Sequence, residues 1–324
     1  MAKIIDSKAA LAPALALVEA GEVVAIPTET VYGLAGDATD GSAVAGIFEA
    51  KGRPRFNPLI AHVSSLGMAE AIASFDPLSL RLAETFWPGP LTLVLPLREG
   101  SPVHPLATAG LGTVALRMPK GFGAELIAAL GRPLAAPSAN SSGRISATTA
   151  AAVEADLGAR IPLIVDGGPT QVGLESTIVK VEGDAVRLLR PGGAPAEDIE
   201  KVIGGPLLRA TSLGVEAPGM LASHYAPRAA VRLETGEVRE GEALLAFGPA
   251  RVEGSDGAVA ALNLSPAGDL REAAANLFSM LQALDASGAK TIAVGPIPSS
   301  GLGEAINDRL RRAAAPRDMP AGRH

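Results

Sequence analysis

Lys51 and Arg53 stand two residues apart, ahead of Pro54, Asn57, Pro58 and His62. Proline fixes the backbone on either side of the Asn. Nothing in folding demands two cations at that spacing beside an amide, whereas an anion does. Upstream, Ile26-Pro-Thr-Glu-Thr-Val-Tyr-Gly places Thr28 and Thr30 where an apolar run gives way to a polar turn. Downstream, Arg117 lies in an alternating run over 113–118, and Ser138-Ala-Asn-Ser-Ser-Gly-Arg144, with Asn140 inside it and Ser146 after it, precedes a helical stretch. Such a turn offers backbone N–H groups and hydroxyls in one concavity, the chemistry that binds phosphate.

The elements that must position these residues follow from periodicity. Ser7 reads as the N-cap of a helix over 8–20, with Leu11, Leu15 and Val18 at helical spacing and Gly21 as its stop. Strand-like runs are expected over 22–27, 58–63, 91–95, 113–118, 133–137, 162–165 and 176–181, the last paired with 186–190. Gly33 and Gly36 read as tight-turn residues. A helix over 40–50 delivers Lys51 and Arg53 at its C-terminal end, and a helix-rich stretch over 67–86 closes at Trp87-Pro-Gly-Pro. Loops that meet a sheet are where α/β proteins place ligands. From 204 to 227 the chain is irregular and rich in Gly, Pro, Ala and Ser. Beyond it, strands over 230–233, 242–247, 258–264 and 290–294 alternate with helices over 268–287 and 304–314. The expected architecture is α/β: a larger domain over 1–205 with a twisted mixed sheet and a concave pocket, a linker over 206–228, a smaller Rossmann-like α/β domain over 229–314, and a disordered tail over 315–324.

Composition narrows the function. The 324 residues are 48% hydrophobic and 19% charged, which suits a globular protein with a real core. No basic region leads into an apolar run at the start and no stretch is long enough to span a membrane. With no cysteine there is no disulfide or thiol nucleophile, and a cytoplasmic location is the expectation. A net charge of -6 and 3% aromatic residues argue against an extended nucleic-acid footprint. Neither a P-loop nor a G-x-G-x-x-G turn is present, the four histidines lack zinc spacing, and no G-x-S-x-G elbow occurs. If the protein is an enzyme, its catalysis rests on positioning and electrostatics rather than on a covalent nucleophile.

Pro27-Thr-Glu-Thr-Val-Tyr-Gly-Leu, Lys51-Gly-Arg-Pro with Asn57-Pro-Leu-Ile, Trp87-Pro-Gly-Pro-Leu-Thr, Arg117-Met-Pro, Ala136-Pro-Ser-Ala-Asn-Ser-Ser-Gly, Ser176-Thr-Ile and Arg190-Pro-Gly together resemble the YrdC-like threonylcarbamoyl-AMP synthase family. Ser223-His-Tyr-Ala-Pro and Gly301-Leu-Gly-Glu-Ala-Ile-Asn-Asp-Arg-Leu resemble its long, two-domain form. The resemblance implies a nucleotidyltransferase that makes threonylcarbamoyl-AMP and pyrophosphate from L-threonine, bicarbonate and ATP, for tRNA modification. It implies that 1–205 is the catalytic domain and that Arg53, Asn57, Thr113, Ser138, Asn140, Ser146, Arg190 and Tyr225 hold ATP, with Tyr225 closing over the nucleotide and making the linker over 206–228 a lid. Thr30, His62, Arg117, the backbone at Ala136, and Ser176 would hold threonine, with Arg117 as a bidentate clamp on its carboxylate. Lys51 and Arg53 would serve catalysis at the reacting phosphate. Mg²⁺ is implied by the polyphosphate, with no metal residue named, and a downstream threonylcarbamoyl transferase complex would receive the adenylate.

Each motif has a plainer reading. Lys51 and Arg53 could sit on a solvated turn, Ser138 to Gly143 could only cap the following helix, His62 and Ser176 could be ordinary strand polar residues, and Tyr225 could pack against the second domain. Two other functions also fit a basic pocket: a carbamoyl-adenylate-forming enzyme of the hydrogenase-maturation kind, and an RNA-binding or ribosome-maturation module without catalysis. At most weak RNA binding is expected, given the acidic balance.

Overall fold

A computed structural model of the chain describes residues 1–209 and 224–316. Most of the expected linker (210–223) and of the expected tail (317–324) lies outside the described residues. The chain divides into two compact units, Met1–Ser142 with Ser146–Met220, and Gly143–Ile145 with Leu221–His324. No described helix is long and apolar enough to cross a membrane.

The first unit is built on a mixed sheet of eleven described strands. From one edge to the other it runs Lys3–Asp6, Leu163–Asp166, Val24–Ile26, Gly33–Asp37, Leu134–Ala135, Ile60–His62, Thr113–Arg117, Leu91–Pro96, Thr177–Glu182, Ala185–Arg190 and Leu208–Arg209. Helices Ser7–Glu19 and Phe122–Leu130 bury Ala10, Ala14, Val18, Leu126 and Ile127 against Val24, Ile26, Ala35 and Leu134. Helix Gly41–Lys51 contributes Val44 and Ile47 to the larger apolar cluster, with Leu34, Leu59 and Leu116.

Two sequence expectations change here. Asp6, not Ser7, caps the first helix, its carboxylate accepting from Lys8 N–H at 2.9 Å, and Pro13 sits inside that helix. Gly33 and Gly36 are not turn residues but members of a strand paired antiparallel with Val24–Ile26 and with Leu134–Ala135. A Cβ on Gly33 would lie 3.3 Å from the Ala136 methyl, and one on Gly36 would lie 3.4 Å from that of Ala43. The glycines admit close neighbours rather than a bend.

The second unit holds, among the described residues, four parallel strands in the order Ala230–Arg232, Thr291–Val294, Glu242–Ala246, Ala261–Asn263. Helix Leu270–Ala286 buries Ala273, Ala274, Leu277, Phe278, Leu281 and Leu284, one face of its periodicity, and helix Leu302–Ala314 buries Ile306 and Leu310.

Candidate active site

Asp40 starts the helix that carries the cations, accepting from Ser42 N–H at 2.8 Å. Gly52 ends it in the left-handed region at φ 59°, where a Cβ is costly. Lys51 is therefore the last helical residue, and Arg53 the first after the turn.

Within this unit lie Lys51 (3% exposed), Arg53 (8%), His62 (3%), Arg117 (4%) and Arg190 (4%), all buried. Burying so many basic groups costs several kcal/mol each unless they are held and used. Lys51 Nζ donates to Ser138 O and Asn140 O, both at 2.5 Å, while Lys51 O accepts from Ser142 N–H at 2.8 Å. Lys51-x-Arg53 and Ser138-x-Asn140, 87 residues apart in sequence at their first members, are one structure. Burial, followed by repulsion from Arg53, holds the Lys51 ammonium pKa well below its usual value. Arg53 is pinned to its own loop: Nη2 donates to Asn57 Oδ1 at 2.7 Å and to Pro58 O at 2.8 Å. Asn57 Nδ2 is buried and has no acceptor.

Arg190 donates through Nη2 to Ser176 O at 2.7 Å, and the Ser176 hydroxyl lies 2.7 Å from that of Thr92. Gly192 makes this approach possible, since a Cβ there would fall 2.3 Å from Glu175 O. Ser146 donates to the buried Glu175 carboxylate at 2.5 Å.

Thr30 is fully buried, its hydroxyl 2.9 Å from that of Thr28. His62 and Arg117 are register partners on adjacent parallel strands, and Ala136 N–H donates to Ile60 O at 3.2 Å beside them. Burial, reinforced by the Arg117 charge, pushes the His62 pKa down to about 3, so the imidazole is neutral at physiological pH. Thr113 opens the same strand as Arg117, at the other end from it. Tyr225 lies in the second unit, its ring stacked on Phe278 at 5.6 Å and 5.0 Å from the Arg309 guanidinium. A cavity of about 310 Å³ adjoins the threonine-turn segment, lined by Thr28, Glu29, Lys120, Gly121, Thr170 and Gln171 among others.

The family model described as "Telomere recombination" matches residues 16–192, and that described as "Threonylcarbamoyl-AMP synthase, C-terminal domain" matches 194–315. The threonylcarbamoyl-AMP synthase of Pyrococcus abyssi is 43% identical over 319 residues, 93% of each chain. The chain belongs to the threonylcarbamoyl-AMP synthase family. The Bacillus subtilis member is 41% identical over 325 residues, covering 95% of this chain and 93% of its own. The structure of P. abyssi Sua5 complexed with L-threonine superimposes with a TM-score of 0.85 at 39% identity, covering 97% of this chain and 96% of that one.

Four residues that the fold sets beside the candidate site escape sequence reasoning. Glu29 sits inside the motif that starts at Pro27, and Glu175 directly precedes the one that starts at Ser176, but only the fold sets Glu29 beside Arg117 and Glu175 beside Ser146. Asp156 and Arg160, on and just after helix Ala150–Leu157, brace the Ser-x-Asn turn. Asp156 accepts from Ser141 N–H at 2.7 Å, and Arg160 donates to Ser141 Oγ at 2.6 Å and to Ala50 O at 2.7 Å. Their spacing is that of any surface i,i+4 pair, and no signal in the chain singled them out.

Proposed function

We infer that the first unit joins L-threonine, bicarbonate and ATP into threonylcarbamoyl-AMP and pyrophosphate, the first step in making threonylcarbamoyl-adenosine in tRNA. The observation that carries this reading is the tie between Lys51 and the Ser138–Asn140 turn, in a chain whose relatives of that activity align over nine-tenths of its length. In the reaction the threonine nitrogen bonds to the carbon of bicarbonate with loss of water. A carbamate oxygen then attacks the α-phosphorus as its bond to the bridging oxygen breaks and pyrophosphate leaves.

Each step adds or moves negative charge, which suits preorganised cations in a dry site. Arg53, its fork fixed by Asn57 and Pro58, and Arg190, fixed on Ser176, fit the phosphates. Lys51 fits the junction between the triphosphate and the carbamate, because it is anchored on the turn expected to cradle the nucleotide. Arg117 fits the threonine carboxylate, and neutral His62 can hydrogen-bond substrate without adding charge. Among the described residues no group of three His, Asp or Glu could hold a metal ion. Magnesium enters this proposal as the companion of ATP, carried on phosphate oxygens and water. The product is a labile mixed anhydride, so we assign its consumption to a threonylcarbamoyl transferase complex.

The test is pyrophosphate release by the full-length protein with MgATP, omitting threonine and bicarbonate in turn. Release that requires both supports the reading. Release indifferent to threonine overturns it.

A further inference from the structure

The Arg117 guanidinium is held on two sides. Its Nε donates to Gly89 O at 3.2 Å, and its Nη2 lies 2.7 Å from Glu29 Oε1, with side-chain exposures of 5% for Arg117 and 8% for Glu29. The Nη2–Oε1 contact is an ion pair without the alignment of a hydrogen bond: Nη2 is buried and its N–H groups have no aligned acceptor. Glu29 is itself tethered, its other oxygen accepting from Lys120 N–H at 3.0 Å and its main-chain carbonyl accepting from Val172 N–H at 2.9 Å. His62, the register partner of Arg117, brings no charge of its own.

We propose that Glu29 is the positioning residue for Arg117. Its charge lets the guanidinium stay buried when no substrate is bound, and its off-line geometry leaves the Nη2 donors for a substrate carboxylate. A buried Arg without an anion would leave for water or collapse onto the nearest carbonyl, and the donors would be lost. A carboxylate hydrogen-bonded in line would satisfy those donors and compete with substrate. Glu29 does neither, because its second oxygen is tied to the Lys120 amide and its backbone to the 167–172 loop. Glu29 lies between Thr28 and Thr30, so the same turn sets the Thr30 hydroxyl and the Arg117 fork together.

This inference rests on the reading that Arg117 binds threonine, and the test separates the two. Steady-state kinetics are compared for the full-length wild type, Glu29→Gln, Arg117→Ala and the double variant, varying threonine and ATP separately. Glu29→Gln keeps the size of the side chain and an acceptor for Lys120 N–H but removes the charge. The expected result is a threonine KM raised about tenfold or more with the ATP KM changed less than about threefold, and less than a twofold further effect in the Arg117→Ala background. Glu29→Asp, which keeps the charge on a shorter stem, should fall between wild type and Glu29→Gln, and it serves as the reporter should Glu29→Gln not fold. If Arg117→Ala raises the threonine KM while the folded Glu29 variants leave it unchanged or lower it, Glu29 is not the positioning residue. If Arg117→Ala itself leaves the threonine KM unchanged, Arg117 does not bind threonine and both ideas fall.

Discussion

At the scale of single residues, the site turns on cations whose neighbours are mostly main-chain carbonyls. Lys51 is anchored by the oxygens of Ser138 and Asn140, so truncation removes a charge and also releases two buried acceptors. Lys51→Ala should lower pyrophosphate release by about 100-fold or more while the far-ultraviolet circular dichroism stays as in wild type. Arg53→Ala should do the same, with the ATP KM rising. Full activity in both variants would remove the proposed mechanism. Arg117→Ala should act on the threonine KM if this guanidinium, paired in register with His62 and set against Glu29, is the proposed carboxylate clamp.

At the scale of elements, precision comes from where strands and helices stop. Gly52 in its left-handed turn ends the Lys51 helix, and Gly192 lets the segment after Arg190 press against the backbone of Glu175 to Thr177. Gly192→Ala forces a Cβ to within 2.3 Å of Glu175 O and should cost about 1–3 kcal/mol of stability, read as a lowered denaturation midpoint, and it should weaken ATP binding with Arg190. An unchanged midpoint would mean that this approach is not constrained. Most of this layer was legible in the sequence, because period-two and period-3.6 patterns directly report buried faces: the expected helix over 268–287 appears as Leu270–Ala286, and the pairing of 176–181 with 186–190 as a hairpin of Thr177–Glu182 and Ala185–Arg190. The strand Gly33–Asp37 was not legible, since glycine signals a turn and a close packing contact alike. The motif residues Lys51 and Ser138 were legible as chemistry, but their contact was not, because it joins segments 87 residues apart through a side chain and a main-chain oxygen. The same holds for Glu29 with Arg117.

At the scale of the whole molecule, a chain with net charge -6 buries Lys51, Arg53, Arg117 and Arg190 in its first unit, which focuses anions there without making the surface basic. RNA should accordingly bind weakly, with the binding erased by added salt; steep salt dependence at tight affinity would revive a nucleic-acid role. Burial of His62 also links global stability to acid. Its pKa is about 3 in the fold against about 6.5 unfolded, so the unfolded chain binds the extra proton between those values. This share of stability is whole above about pH 6.5 and is lost as pH falls toward 3, at about 1.4 kcal/mol per pH unit within the window. His62→Gln should flatten the dependence of the urea midpoint on pH between 4 and 6, and an unaltered slope would show that another group carries it. The most direct test of the proposed activity is the mass of the nucleotide product made from ATP, threonine and ¹³C-bicarbonate. The account predicts threonylcarbamoyl-AMP heavier by one labelled carbon, abolished in Lys51→Ala, whereas an unlabelled threonyl adenylate, or no adenylate at all, would contradict it.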